Sequence, residues 1–441
     1  MNHRRVRQSP VDGSAARLVY LYCLFCSYSS FGARTPMTPE LQALSFAAGS
    51  VFTPGAPINE KDLFAGRREQ IENIIDAVSQ RGYHAILYGE RGVGKTSLSN
   101  MLSAFLGRRQ TSLISRINCD TSDTFSSLWT KAFKEIESSR RKHPIGLTTQ
   151  PLAPVTALDD DNITPDGARR ALQDLSRSTP LVVIFDEFDR VQHAGATVLM
   201  ADTIKSLSDY SVPATILIIG VADSVEGLIK EHQSVERALI QIYMPRMSDD
   251  EIRDIIRNGL ARLTMEIDEA ACEELVRFSQ GVPYIAHLLA LHSCRSALAA
   301  GSKIISPHNV EQGMHRSLDQ WQQSIKASYH EATKGRQTGH LYKEVLLACA
   351  LAEVDDLRYF TAAAVREPLS LIADRKFEIS NFARHLKDLS EAARGRILQR
   401  VGETHGTRYR ISNPILRPYI VMRSIKDNIV PKATLEKIIT P

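Results

Sequence analysis

Apolar residues in this chain gather in short unbroken runs that alternate with amphipathic stretches. An unbroken apolar run predicts a strand buried on both faces, whereas apolar residues three and four positions apart predict a helix. Strands are predicted at 84–88, 112–118, 181–185 and 215–221, and helices at 67–80, 95–107, 125–138 and from Thr164-Pro165 onward. Strands that alternate with helices in this way indicate a parallel sheet covered on both sides. The fold class predicted for the first domain is therefore α/β.

The pattern changes twice beyond Met247. Strand signals stop there, and amphipathic helical segments continue to about residue 332. Farther on, helices are predicted at 341–352 and 380–393, and short strands at 397–401 and 408–412, around a turn at Gly402–Gly406. Helices followed by a hairpin are typical of a winged-helix domain. The predicted domains are a leader at 1–46, an α/β domain at 47–247, an all-α lid at 248–332 and a winged-helix domain at 340–441. The leader is expected to be disordered or to precede a true start at Met37.

Composition excludes several classes of protein. With 43% hydrophobic and 24% charged residues, the chain is neither a disordered polymer nor a small disulfide scaffold. Cys23 and Cys26 form a CxxC without a second pair, so the six cysteines are read as scattered reduced thiols. The longest apolar run, 18–26, is nine residues, well short of the ~20 that cross a bilayer. We expect a cytoplasmic protein with no membrane partner.

A glycine-rich loop follows the first predicted strand. Its sequence is Gly89-Glu90-Arg91-Gly92-Val93-Gly94-Lys95-Thr96, which matches GxxxxGK[ST] in full and opens a predicted helix. Backbone N–H groups of such a loop hold the β-phosphate of a nucleotide. Lys95 would bridge the β- and γ-phosphates, and Thr96 would bind Mg²⁺. Ser97, the next residue, is also predicted to bind the nucleotide.

Two carboxylates follow the strand predicted at 181–185. Asp186 stands at the carboxyl end of that strand, where it would complete the Mg²⁺ shell. Glu187 would polarise the attacking water. The two motifs together predict a nucleotide-hydrolysing site.

These residues carry a resemblance. From about residue 58 onward the chain resembles the AAA+ ATPases, and among them the bacterial relatives of the origin-recognition and initiator ATPases. Leu63-Phe64-Ala65-Gly66-Arg67 resembles the segment that cups adenine in this family, and 186–189 resembles its acidic box. The resemblance implies a P-loop AAA+ fold, ATP with Mg²⁺ as the cofactors, and oligomers of this chain or of partner AAA+ subunits. It also implies that Asn118, at the end of the second strand, restrains Glu187 until a partner binds.

Three further sites follow from the resemblance alone. Sensor 1 would be Asp223, although many relatives carry Asn there and Ser224 is an alternative. Arg237 matches the arginine finger that completes a neighbour's active site, and the alternative is a solvated surface arginine. Pro283 belongs to the GxP of sensor 2, but Tyr284 stands where arginine is usual. Hydrolysis is then expected to be slow or differently controlled.

Positive charge is concentrated near the C-terminus. Residues 394–426 contain eight basic residues against Glu403, a net of +7 compared with +4 for the whole chain. The eight are Arg394, Arg396, Arg400, Arg408, Arg410, Arg417, Arg423 and Lys426. The preceding helix offers Arg384, His385 and Lys387 to a groove. Both DNA binding and docking of an acidic protein fit this charge.

The motifs and the basic C-terminal segment fit two classes of function. One is an ATPase that couples its nucleotide state to DNA binding or to remodelling of a DNA-bound complex. The other is a switch of the STAND type, which shares the GxP, hydrolyses slowly and uses its winged helix to dock proteins.

Overall fold

The computed structural model describes residues 37–55, 66–108, 112–142, 162–177, 179–222, 225, 228–229, 235–335, 341–355, 357–402 and 406–439. The predicted leader as far as residue 36, the sensor 1 candidates Asp223 and Ser224, and residues 63–65 lie outside this range. No helix of the described residues is long and apolar enough to cross a membrane.

The first unit is built on a parallel sheet. Its strands are β1 (His84–Gly89), β2 (Leu113–Asn118), β3 (Leu181–Asp186), β4 (Ala214–Val221) and β5 (Leu239–Tyr243). They lie in the order β2-β3-β4-β1-β5, and every pair is parallel. All residues of β3 are buried, as an unbroken apolar run predicts. The predicted α/β class is confirmed.

Helices cover both faces of this sheet. They are α2 (Arg68–Ser79), α3 (Lys95–Arg108), α4 (Phe125–Lys142), α5 (Pro165–Leu175) and α6 (Ala194–Asp209). Thr164 caps α5 as predicted, because its hydroxyl accepts the Gly167 N–H. Apolar side chains form one core on each face of the sheet.

A helical region follows. It consists of α7 (Asp249–Arg262), α8 (Glu269–Ser279), α9 (Pro283–Ala299), α10 (Pro307–Gln320) and α11 (Gln323–Thr333), with a short parallel pair β6 (Glu266–Ile267) and β7 (Ile304–Ile305). Ser248 and Glu251 form a capping box at the start of α7. The two-residue strands were not predicted, since they are too short to give a pattern.

The prediction of a leader as far as residue 46 is wrong for its last part. Helix α1 (Pro39–Val51) begins with Thr38 as its N-cap and packs on α9. Phe52, directly after α1, is fully buried in the core of the helical region. The low contrast between the two faces of α1 hides it from a pattern-based reading.

The last unit, residues 341–439 (the C-terminal unit), contains helices and a small sheet. Its elements are α12 (Tyr342–Leu351), β8 (Phe360–Thr361), α13 (Ala362–Ile372), α14 (Ile379–Leu389), β9 (Leu398–Val401), β10 (Arg408–Ile411), α15 (Leu416–Lys426) and α16 (Lys432–Ile439). The strands pair antiparallel in the order β8-β10-β9. The predicted hairpin is therefore present. Helix α13 was missed, because Pro368 within it reads as a helix breaker.

Candidate nucleotide-binding site

The glycine-rich loop joins the carboxyl end of β1 to the first turn of α3. Gly92 and Gly94 have φ angles of 88° and 99°, a region that disfavours side chains. A β-carbon on Gly89 would come within 2.5 Å of the Met244 carbonyl oxygen. Glycine is needed at these positions for the backbone to curl around the amino end of α3. The curled loop and the helix end together favour a bound anion.

Lys95 lies in the centre of this loop. Its Nζ donates hydrogen bonds to the carbonyl oxygens of Gly89 (2.9 Å) and Glu90 (2.7 Å). The residue is 7% exposed, and burial lowers the pKa of its ammonium group to about 8, opposed by the carboxylates of Asp189 and Asp186. A buried cation that is satisfied only by carbonyl oxygens fits the phosphate oxygens of a nucleotide.

Asp186 and Thr96 lie side by side, with Thr96 Oγ1 3.5 Å from Asp186 Oδ1. A hydroxyl and a carboxylate are the oxygen ligands that Mg²⁺ prefers, so these residues fit that ion. The other carboxylate oxygen, Oδ2, accepts a 2.8 Å hydrogen bond from Arg116 Nη2. Arg116 comes from β2 and was not predicted as a site residue.

Glu187 follows β3 in the left-handed region, with φ 58°. Its Oε2 accepts a hydrogen bond from Arg190 Nη1 at 2.8 Å, and both side chains are about half exposed. Asn118 pairs in register with Asp186 but is exposed, and no hydrogen bond joins it to Glu187 within the described residues. The structure thus brings Arg190 to the glutamate, where Asn118 was expected.

Other residues of the loop are held from outside it. Arg67 is buried and donates from Nη2 to the Val93 carbonyl oxygen (3.1 Å), while its backbone N–H bonds to Glu251 Oε1 (3.0 Å). Glu90 Oε2 accepts a 2.6 Å hydrogen bond from Arg246 Nε. Arg91 is exposed and Ser97 is half-buried. The loop is therefore tied to α7 and to the segment after β5.

The predicted sensor 2 segment lies against the loop. Gly281 has φ 70°, and a β-carbon there would lie 2.5 Å from the Met247 carbonyl oxygen. Pro283 is buried in the first turn of α9. Tyr284 faces Gly92, with its Cβ 3.8 Å from where a β-carbon of Gly92 would stand. Burial raises the pKa of the Tyr284 hydroxyl, so a neutral group occupies the position of the expected arginine.

The C-terminal unit also reaches the loop. Cδ1 of Ile415, which precedes α15, lies 3.9 Å from the same β-carbon position of Gly92. Ile415 is 3% exposed. Side chains of both the helical region and the C-terminal unit therefore approach the glycine-rich loop at Gly92.

Arg237 lies in a single 3₁₀ turn, Glu236–Ala238, directly before β5. Its side chain is exposed. An exposed position at this edge is accessible to a second copy of the chain, as an arginine finger requires.

Most of the basic residues of 394–426 are engaged within the protein. Arg394 donates to the carbonyl oxygens of Ala332 and Lys334 at the end of α11, 2.8 Å each, and its guanidinium lies 3.4 Å from the Tyr342 ring centroid. The partners of the others are Asp355 for Arg408, Gln399 for Arg410, Ala350 and Ala352 for Arg417, Asp427 for Arg423 and Asp319 for Lys426. The eight basic residues therefore do not form one free surface.

Besides Arg408, which is paired with Asp355, four of the basic residues predicted to contact DNA are exposed. Arg396 and Arg400 are exposed around β9, as are Arg384 and Lys387 on α14. His385 instead packs edge-on against Tyr342, with ring centroids 4.7 Å apart, so it does not face a groove. We call Arg384, Lys387, Arg396 and Arg400 the basic face.

Residues 63–219 match the family model described as AAA ATPase domain, and no curated protein matches the chain significantly. A Walker-type ATPase of Pyrococcus abyssi is similar in structure, with 18% identity over 84% of this chain and 99% of that chain and a TM-score of 0.50. The ORC2 protein of Aeropyrum pernix (17% identity, 88% and 98% coverage, TM-score 0.45) and Cdc6p of Pyrobaculum aerophilum (18%, 86% and 98%, 0.43) are also similar. The chain carries a nucleotide-binding AAA ATPase domain with a P-loop and a parallel five-stranded sheet.

Proposed function

We propose that this protein is an ATP-hydrolysing AAA+ protein that couples its nucleotide state to binding of DNA. The observation that carries the proposal is the approach of Ile415 and Tyr284 to Gly92 of the P-loop, where atoms of both lie within 4 Å of the position that a β-carbon of Gly92 would take. Phosphate that enters the loop changes the surface on which the C-terminal unit rests. Nucleotide state and the position of the basic face are thereby linked.

The chain supplies the groups for phosphoryl chemistry. Lys95 would leave the carbonyl oxygens of the loop to neutralise the β- and γ-phosphates. Thr96 and Asp186 would hold Mg²⁺, which would supply further positive charge to the phosphates. Glu187 must leave Arg190 before it orients and polarises the attacking water.

Tyr284 is neutral and cannot supply the cation that sensor 2 usually contributes to the transition state. Arg237 of a second copy fits this role, since it is exposed at the edge of the sheet. Such an arginine stabilises charge on the transferred phosphoryl group. We therefore propose that hydrolysis requires a homo-oligomer or a partner AAA+ subunit.

The basic face is the proposed contact with DNA. Arg384 is 89% exposed in its side chain, with Asp388 3.8 Å away, and Arg400 lies on the strand that leads into the hairpin. Long cations on a helix and an adjacent hairpin fit a phosphate backbone. The likeness of the sequence to initiator ATPases supports DNA over an acidic protein.

The test is ATP hydrolysis by the full chain with and without duplex DNA, over a series of salt concentrations. We expect DNA to stimulate hydrolysis, and stimulation to fall steeply with salt because phosphate contacts release counterions. Glu187→Gln should slow hydrolysis at least about 100-fold. Arg384→Ala with Arg400→Ala should abolish only the stimulation, whereas Arg366→Ala, an exposed arginine on α13, should not.

Mixing of variants tests the role of Arg237. Arg237→Ala alone should lose hydrolysis about 1,000-fold, but a mixture with Glu187→Gln should regain part of it, since mixed oligomers contain one intact site. Slow turnover, no response to DNA and tightly held nucleotide would overturn the proposal in favour of a nucleotide-gated switch.

A further inference from the structure

A cleft separates the P-loop side of the molecule from the C-terminal unit, and its charge is unbalanced. Glu90 and Arg246 line one side, and Arg358, Arg410 and Arg417 line the other. Four arginines thus surround one carboxylate. Apolar residues, among them Phe360 and Ile411, complete the walls, so charges in the cleft are poorly screened.

Three of these arginines are held in place by the protein. Arg246 bonds to Glu90 (2.6 Å) and to the Gln280 carbonyl oxygen (3.2 Å), and the side chains of the Arg246–Glu90 pair are 10% and 11% exposed. Arg417 donates from Nε and Nη2 to the carbonyl oxygens of Ala350 (2.6 Å) and Ala352 (3.0 Å) at the end of α12. Arg410 donates to Gln399. Their guanidinium groups are therefore preorganised at the cleft.

Arg358 is different. Its guanidinium makes no hydrogen bond or ion pair within the described part of the chain, although the residue is only partly exposed. Its backbone lies in the left-handed region, with φ 66°, where a side chain other than Asn, Asp or Gly is unusual. A strained backbone that presents an unpaired cation to a cleft indicates a functional position.

The arginines oppose one another electrostatically. Burial and the neighbouring Arg246 lower the pKa of Arg358. Burial, together with Arg358 and Arg246, lowers the pKa of Arg417 to about 9. An anion placed among these three groups would remove the repulsion.

We propose that this cleft binds a phosphoryl group, held by Arg246, Arg358 and Arg417. The planar guanidinium pairs with two phosphate oxygens at once, which makes arginine clusters specific for this chemistry. The cavity itself is small, about 20 Å³, and it is open to solvent, so a phosphoryl group would have to enter from the open side, and a DNA duplex is excluded. A bound phosphoryl group would join the P-loop side to the C-terminal unit.

The phosphoryl group that binds in the cleft can belong to either of two kinds of molecule. It is either free phosphate or pyrophosphate, or the phosphate tail of a nucleotide held by the adjacent P-loop. The inference does not depend on hydrolysis or on DNA binding, so the proposed function and this site can fail separately.

Calorimetric titration of the full chain with inorganic pyrophosphate tests the site. The first arm uses Lys95→Ala, which disables the P-loop, alone and combined with Arg358→Ala. The second arm titrates ATP into the protein with an intact P-loop, with and without Arg358→Ala. Arg366→Ala is the matched control in both arms, because it removes an exposed arginine of the same unit.

We expect pyrophosphate to bind Lys95→Ala, and Arg358→Ala to weaken that binding at least about tenfold, which would identify a free anion. The alternative outcome is that Lys95→Ala no longer binds pyrophosphate, while Arg358→Ala weakens ATP binding about tenfold. This outcome would identify the bound group as the phosphate tail of the nucleotide. The proposal is overturned if Arg358→Ala changes neither affinity more than Arg366→Ala does. Without anion, Arg358→Ala should melt no lower than wild type, since it removes repulsion; a lower melting temperature would instead make Arg358 a structural residue.

Discussion

At the residue scale, arginines that no motif identifies hold the carboxylates of the candidate site. Arg116 binds Asp186 and Arg190 binds Glu187, so each acid is neutralised by a cation from its own domain. A buried carboxylate without a partner is costly. Arg116 therefore stabilises the domain, whereas the half-exposed Glu187–Arg190 pair contributes little. Both arginines occupy carboxylate oxygens that the chemistry needs.

Replacement of Arg116 should make stability depend on Mg²⁺. Asp186 is 2% and Arg116 26% exposed in their side chains, so Arg116→Ala should cost about 1–3 kcal/mol, less than for a fully buried pair. A divalent cation would restore the missing charge. We expect Mg²⁺ to raise the melting temperature of Arg116→Ala more than that of wild type, in scans with and without chelator.

Arg177→Ala is the control for this prediction. It removes an arginine–aspartate pair whose side chains are 79% and 65% exposed, and such surface pairs contribute about 0–1 kcal/mol. An equal response to Mg²⁺ in all three proteins would show that the ion does not replace the charge of Arg116 at Asp186.

At the element scale, local pattern was enough for some features and not for others. The strands β1, β3 and β4 are unbroken apolar runs, and the glycine-rich loop is a contiguous motif, so the sequence alone locates them. The Arg246–Glu90 pair joins residues 156 positions apart, and pattern carries no information about such pairing. Helix α1 was missed for a related reason: its apolar face is defined by the helical region on which it packs.

The packing of the segment that follows α1 can be tested through Gly259 of α7. A β-carbon at Gly259 would lie 2.4 Å from Cζ of Phe52, and Phe52 is fully buried. Gly259→Ala should therefore destabilise the helical region by about 1–3 kcal/mol through overpacking. The same change should release α1, which would be seen as faster proteolysis between residues 37 and 55.

A second substitution separates overpacking from a helix effect. Phe52→Leu in the Gly259→Ala background should recover part of the stability, because the smaller side chain vacates the space. Gly195→Ala in α6, where the nearest atom is His193 Cε1 at 3.5 Å, should be neutral or stabilising by about 0.4–1 kcal/mol. Equal losses at Gly259 and Gly195 would contradict the assigned cause.

At the scale of the whole molecule, the helical region and the C-terminal unit share one continuous apolar core. That core includes Ile415, whose side chain approaches Gly92 of the P-loop. The two units therefore move as one body more readily than as separate domains, and the loop lies at its edge. A change in the conformation of the P-loop would therefore reach the helical region and the C-terminal unit through only a few side-chain atoms.

Ile415→Val removes Cδ1, the atom that faces Gly92, at a cost of about 0.5–1.5 kcal/mol in stability. We expect the ratio of DNA affinities with and without a non-hydrolysable ATP analogue to fall in Ile415→Val, and to fall further in Ile415→Ala. Ile420→Val is the matched control, since Ile420 is fully buried in α15 and is not among the residues nearest Gly92. Binding energies couple reciprocally, so the ratio of ATP affinities with and without DNA must fall by the same factor. An undiminished ratio in Ile415→Ala would mean that the coupling between nucleotide and DNA takes another route, and the contact with Gly92 would then be packing alone.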